Sequence, residues 1–325
     1  MTTLSAITLA TGRETHLRHT LLGLAAQTRQ PDEVILVAMQ EAPFHDLPRL
    51  PFPLRQITLP RPELPLAEAR NTAATLARGD QLVFLDVDCI PDPAALEDYA
   101  FALRSDPGLL MGEVGYLPRG ATESGLDFAR FARLAQRHPD RQGPPPRGLR
   151  RCEDYRCFWS LNFAVTRDTW ARSGGFDEAF TGYGGEDTDF ARSVAERGIP
   201  IHWMKGGRTY HQHHRHFMPP VHHLPSILRN AEIFAAKWGH RTMEHWLYAF
   251  KLMGLIENTP DGLRILRPVS EADRALCVQE DHEPFVTTRR VLDHLQGLTG
   301  SDGHTRARRA EVDRAQAAMI LPAAE

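Results

Sequence analysis

Strand, helix and strand follow one another at the start of this chain, and that order constrains its fold more than any other feature. Ser5 to Ala10 is an apolar run of strand length, Glu14 to Gln27 places Leu17, Leu21 and Leu24 at helical spacing, and Glu33 to Met39 is β-branched and almost wholly apolar. Such a sequence within about 35 residues reads as a parallel βαβ unit with strands covered on both faces. A short strand around Gln56 to Leu59, a helix over Leu66 to Arg78 closed by Gly79, a buried strand Gln81 to Asp86 and a helix over Pro91 to Arg104 continue the alternation. The pattern predicts an open α/β sheet, whose ligands bind beyond the carboxyl ends of the strands. Further on, the spacing predicts a helix over Ala121 to His138, a surface loop at Gln142 to Gly148, a strand over Phe158 to Thr166, a helix over Asp187 to Arg197 and a strand at Ile201 to Met204. The α/β domain is expected over 1–215, in halves of about 1–105 and 106–215, with a mainly helical region over 216–325 that includes an amphipathic stretch from Ile227 to Trp238.

Composition removes several classes. Among 325 residues, 38 Lys and Arg stand against 41 Asp and Glu, which leaves no global basic field for nucleic acid. The four cysteines are too few and scattered for a disulfide scaffold, and Cys152 and Cys157 lack the second pair of a zinc motif. No signal-peptide layout opens the chain and no apolar run reaches about 18 residues, so a cytoplasmic protein is expected, with peripheral membrane contact as its one membrane role.

Three constellations carry chemistry. Asp86-Val87-Asp88 ends a buried strand, so one or both carboxylates enter the crevice, where Mg²⁺ or Mn²⁺ is held by carboxylates and substrate phosphates. Gly174-Gly175-Phe176-Asp177-Glu178 and Gly182-Tyr183-Gly184-Gly185-Glu186-Asp187 bring the backbone close to a ligand and crowd carboxylates at a helix start; Asp187 suits a general base. Seven of the sixteen histidines fall between His202 and His223. In an extended chain His211 and His213 face one way, so one of them would supply a nitrogen ligand beside Asp88.

The residues Thr11-Gly12-Arg13, Ala67-Glu68-Ala69-Arg70-Asn71 and Gly79 to Asp88 resemble the family 2 inverting glycosyltransferases of GT-A fold. The GGFDE and GYGGED segments are similar to a C-terminal motif of β-1,4-galactosyltransferases, polypeptide N-acetylgalactosaminyltransferases and chondroitin polymerases. Together the resemblances cover about residues 4–215. They imply a nucleotide-sugar donor, most often a UDP-sugar, bound with Mn²⁺ or Mg²⁺, and a glycan, lipid-linked or small-molecule acceptor. On that resemblance Thr11 and Arg13 lie along the uridine, Arg70 and Asn71 near the nucleotide or donor sugar, Asp86 on ribose or sugar hydroxyls, and Asp88 on the metal with His211 or His213. Asp187 is then the base and Glu186 orients the acceptor, with Trp159 and Asn162 on the acceptor side. Many members place acidic residues at the end of the second strand, where this chain has Val37-Ala38-Met39-Gln40. The alternatives from other chemistry are a nucleotidyltransferase acting on sugar phosphates and a zinc-dependent hydrolase built on the histidines.

Overall fold

In the computed structural model, which describes residues 2–138, 141–279 and 288–298, the opening unit consists of β1 (Leu4–Ala10), α1 (Glu14–Ala25) and β2 (Glu33–Ala38), with β1 and β2 parallel. Every residue of β1 is buried, because helices cover both faces of the sheet. On one face, Leu17, Leu21 and Leu24 of α1 pack with Leu4, Val34 and Leu36. After β3 (Leu54–Thr58), α2 (Leu66–Leu76) covers the other face, where Ala67, Ala69 and Ala73 join Ile7 and Ile35 in the core. A run of alanines brings that helix close to the strands, and it carries Arg70 and Asn71 with it.

The chain continues through β4 (Gln81–Asp86), β5 (Cys89–Pro91), α3 (Ala95–Ser105), β6 (Leu109–Met111), β7 (Val114–Tyr116), α4 (Phe128–Leu134) and β8 (Leu149–Arg151). It then forms β9 (Asn162–Thr166), α5 (Arg167–Ser173), α6 (Glu186–Glu196), β10 (Ile201–Met204) and β11 (Thr209–His211). Eight strands form the main sheet in the order β3-β2-β1-β4-β9-β6-β10-β8. β2 leaves β1 on one side and β4 joins it on the other, both parallel. That reversal is a topological switch point, and the crevice it opens lies beyond Ala10 and Asp86. A separate sheet, β5-β11-β7, pairs Cys89 with His211 and His211 with Tyr116.

The helix expected over Ala121 to His138 is shorter. Turns occupy 119–124, Gly120 and Gly125 take positive φ of 76° and 87°, and α4 starts only after Asp127, whose carboxylate accepts the Arg130 amide at 2.8 Å. The strand expected from Phe158 starts at Asn162, after a single tight turn at Tyr155–Cys157.

The described residues form two compact units, one of 2–215 and 225–243, the other of 216–224, 244–279 and 288–298. The chain past His216 runs through β12 (His216–Phe217), α7 (Leu224–Trp238), α8 (Glu244–Leu252), β13 (Ile256–Thr259), β14 (Gly262–Ile265), α9 (Glu271–Cys277), β15 (Val278–Gln279) and α10 (Thr288–Leu298). The expectation of a mainly helical region is thus modified by a β13-β14 hairpin and a β12-β15 ladder, and its part at 299–325 lies outside the described residues. The amphipathic stretch is in α7, and its apolar face is not open to a membrane: Ile227, Ala231 and Phe234 are fully buried. Among the described residues no helix is long and apolar enough to cross a membrane.

Candidate active site

The carboxyl ends of β1 and β4 build the first half of the site. Arg13 follows β1 with φ 51° and ψ 38°, a left-handed turn that starts α1 and points its guanidinium to an ion pair with Asp88. Thr11 beside it is exposed, and the Gly12 amide donates to Gln40 Oε1 at 2.9 Å, so the polar end of β2 braces this turn. After β4, Val87 turns into the core and its carbonyl accepts the Thr20 hydroxyl at 2.8 Å, which leaves Asp86 and Asp88 on either side of it.

The histidine loop is held against the same end. The Gln212 amide donates to the Asp88 carbonyl at 2.7 Å. Its buried side chain meets His19 Nδ1 at 2.8 Å and donates to the His16 carbonyl at 3.1 Å, tying the loop to α1. His211 Nε2 then lies 3.5 Å from Asp88 Oδ1 and His214 Nε2 lies 3.4 Å from Oδ2, and ligand atoms of the three residues all fall within 4.8 Å of one another. Of the two histidines expected to offer one ligand, His211 stands beside Asp88, and the second ring in the cluster is that of His214. Strict alternation requires an extended chain, and the strand stops at His211; Gln212 turns inward, the His213 carbonyl meets His16 Nε2 at 3.3 Å, and the next ring returns to Asp88. Tyr116 stacks on His211 at 4.6 Å. Burial disfavours charge on Asp88, but His211, His214 and Arg13 overrule it and hold the carboxyl well below the usual range. A carboxylate and two imidazoles suit a borderline divalent cation such as Mn²⁺.

The second half comes from α2 and the start of α6. Arg70 is 3% exposed; its Nη2 reaches Asp86 Oδ1 at 3.3 Å, its Nη1 stands 3.7 Å from Glu186 Oε1, and it lies over the Phe176 ring at 5.1 Å. One guanidinium thus spans the carboxylates of the strand end and the helix start. Burial pushes Glu186 up to about 7, helped by Asp187 and opposed by Arg70. Burial likewise raises Asp187, against Arg70 and the backbone amides of Thr188 and Ser160. Asp86 is also raised by burial, with Arg70 opposing. Tyr183, 36% exposed, stands among Glu186, Asp187, Asp86 and Arg13. Both halves therefore form one site.

Sequence reasoning missed Tyr183, His16, Tyr116 and the support that α7 gives to the glycine-rich loop. Gly182 has φ 78° and a Cβ there would meet Ser226 at 2.3 Å, so α7 packs directly on this backbone. Asn230 Nδ2 donates to the carbonyls of Thr181 at 3.0 Å and Gly184 at 2.8 Å, while Asp189 accepts from Lys237 Nζ at 2.9 Å and Trp238 Nε1 at 2.7 Å. The only signal was the amphipathic period of α7, which carries no information about its partner. Asn230→Ala is expected to cost about 1–3 kcal/mol, since it removes the donor to the Gly184 carbonyl while Arg229 still serves that of Thr181, and a denaturant titration reads the loss as a lowered midpoint.

Two residues expected at the site bond the framework. Asn71 Nδ2 donates to the Phe176 carbonyl and to Glu178 Oε1, both at 2.8 Å, and its Oδ1 accepts the Phe176 amide at 2.9 Å. It clamps the GGFDE turn, where Gly175 has φ 74° and a Cβ would stand 2.7 Å from Asn71 Oδ1. Asn162 is fully buried and donates to the Gly207 carbonyl at 2.7 Å and the Glu113 carbonyl at 3.3 Å, so it is part of the core and not an open acceptor surface. Trp159 is partly exposed, set edge-on to His138 at 4.9 Å.

An open sheet that gathers carboxylates and imidazoles at its switch point defines an α/β protein with a polar crevice site. Residues 5–127 match Glycosyl transferase family 2, and residues 149–216 match the N-terminal domain of galactosyltransferase. The first match resembles family 2 glycosyltransferases over the strand–helix alternation of β1 to α3, and the second resembles a galactosyltransferase segment from β8 to β12. It is 25% identical over 242 residues to validoxylamine A glucosyltransferase of Streptomyces hygroscopicus subsp. limoneus, covering 61% of this chain and 49% of that one. It is 26% identical over 170 residues to chondroitin synthase of Escherichia coli, covering 45% of this chain and 25% of that one. The chain therefore spans about half or less of the length of these relatives. Among solved structures, GalNAc-T7 with UDP, GalNAc and Mn²⁺ aligns with a TM-score of 0.48 at 17% identity, covering 66% of this chain and 44% of that one.

Proposed function

We propose that the chain transfers a sugar from a nucleotide-sugar donor, a UDP-hexose or UDP-N-acetylhexosamine, to an acceptor hydroxyl by single displacement with inversion. The observation that supports this reading most is the Asp86-Arg70-Glu186 bridge, which joins the strand end bearing Asp88, His211 and His214 to the helix-start carboxylate pair. An acceptor hydroxyl is a poor nucleophile near neutral pH, so Asp187 accepts its proton as the oxygen attacks the anomeric carbon. The bond from that carbon to the diphosphate oxygen breaks on the opposite face. Glu186, fixed by Arg70, orients the acceptor beside Asp187. A divalent cation held by Asp88, His211 and His214 supplies positive charge for the leaving diphosphate when bound. The family 2 match over residues 5–127 and the similarity to a glucosyltransferase and a chondroitin synthase support the reading.

A panel of nucleotide sugars with and without Mn²⁺ tests it, reading both thermal shift and release of free nucleoside diphosphate. One donor should raise the unfolding temperature in the presence of the cation and turn over; pyrophosphate release would transfer the chemistry to the nucleotidyltransferase class.

The raised carboxylates also set a pH dependence. A protonated Asp187 cannot accept the hydroxyl proton, and burial raises its pKa, so kcat is expected to fall on an acid limb that lies above the usual carboxylate range. Glu186→Gln removes a neighbouring negative charge, eases ionisation of Asp187 and should move this acid limb to lower pH. A limb unmoved by that substitution, measured as kcat against pH at saturating donor, would separate the two carboxylates.

A further inference from the structure

Near Trp159 a buried cation has no carboxylate partner among the described residues. Arg141 is 4% exposed, and neither its Nη1 nor its Nη2 has a hydrogen-bond partner among the described residues. Its guanidinium lies 5.1 Å from the ring centre of Trp203 and 5.5 Å from that of Trp159. Aromatic faces favour a cation, but they leave its planar fork of N–H donors unmade. Burial accordingly pulls its pKa down, and the groups that oppose this, Tyr116, Tyr99 and two cysteines, are neutral.

Arg141 lines a cavity of about 170 Å³ together with Gln136, Arg137, Trp203, Arg208 and Glu113. The carboxylate of Glu113 is already committed, to Lys205 at 3.0 Å, Arg208 at 2.9 Å and the Gly206 amide at 2.9 Å. Trp203 Nε1 is a second buried donor without a partner among the described residues. The cavity wall is therefore rich in unmatched donors and positive charge. Its volume falls short of the roughly 300–1,000 Å³ of whole-ligand pockets, so it suits one compact charged group. A row of rings leads from the Arg141 guanidinium to Asp88's histidines: Trp159 meets His138 at 4.9 Å, His138 meets Tyr116 at 5.7 Å, and Tyr116 stacks on His211 at 4.6 Å.

We propose that Arg141 anchors a compact anionic group, a carboxylate, sulfate or phosphate, carried by the acceptor. The acceptor half of this inference rests on the glycosyltransferase reading, whereas anion binding does not. A planar guanidinium offers such oxygens a bidentate fork that no neutral acceptor matches.

Thermal unfolding of the full chain in phosphate, sulfate or acetate, against chloride at matched ionic strength, tests the anion site. The wild type should gain stability from the oxyanions. Arg141→Met keeps the stem between the tryptophans and should lose that gain, while unfolding no lower than wild type in chloride, because a buried unpaired cation is itself destabilising. An equal oxyanion response in both proteins, no response in the wild type, or a lower chloride midpoint for Arg141→Met would each overturn the site. The second arm compares a hexuronate glycoside with its methyl ester as acceptor. Arg141→Met should raise KM for the acid by about tenfold or more and leave KM for the ester and the donor unchanged. Equal changes for both would identify an adventitious ion only and overturn the acceptor assignment. Failure of every donor to turn over would strike the glycosyltransferase reading and leave the unfolding result to stand by itself.

Discussion

Asp187→Asn is expected to lower kcat by about 10³-fold, within the range of a lost general base, while nucleotide binding stays near its wild-type affinity. The substitution keeps the size and planarity of the side chain and its acceptance of the Thr188 amide, which is 2.8 Å from Oδ1. It removes only the capacity to take a proton. Single-turnover measurement at saturating donor and acceptor isolates that step, and titration with UDP and Mn²⁺ checks the ground state. Transfer at wild-type rate would sink the base assignment. The local geometry favours this role: Gly185, with φ 92°, caps the start of α6, and backbone amides and Arg70 oppose the effect of burial on Asp187.

The second large effect concerns the cation. Asp88→Asn, His211→Ala and His214→Ala should each weaken Mn²⁺-dependent nucleotide binding by at least about tenfold, whereas His213→Ala should leave it near wild type. The contrast between two adjacent histidines is the sharp part of this expectation. His214 Nε2 stands 3.4 Å from Asp88 Oδ2, and His213 contributes its carbonyl to His16. Calorimetry of Mn²⁺ with UDP on the four variants reads it directly. A loss on His213→Ala with none on His214→Ala would restore the alternating geometry and refute the cluster described above.

Much of the architecture was legible because it follows from burial. Strands covered on both faces announce themselves as unbroken apolar runs, and β1, β2 and β4 lie where such runs predict. Three-residue strands such as β5, β7 and β11 are too short to show a period, so the small sheet that carries His211 was invisible. At the site, the clustering of carboxylates after β4 and at the start of α6 was readable from strand and helix ends alone. What each polar residue does was not. Asn71 and Asn162 lie close to chemistry in sequence, but their amides bond backbone carbonyls, and only the tertiary path of the GGFDE turn and of Gly207 reveals it. His214 was missed for a related reason. The alternation rule holds only while the ladder does, and Gln212 ends it by turning into the core.

Asp88 and His211 lie far apart in sequence, yet the backbone pairing of Cys89 with His211 sets their separation. Their spacing is consequently a matter of ladder register, not of side-chain reach. Sliding β11 by one residue would exchange the faces of Tyr210 and His211, placing a phenol toward the carboxylate and an imidazole toward Phe131. Length changes in this chain are therefore unequal in consequence. An added residue between Gly207 and His211 shifts the frame of the cluster, whereas one in the loop at 142–148 leaves it in place. Over evolutionary time the first stretch is expected to hold its length while its side chains drift, and a library of single-codon insertions scored for Mn²⁺ binding would map that boundary.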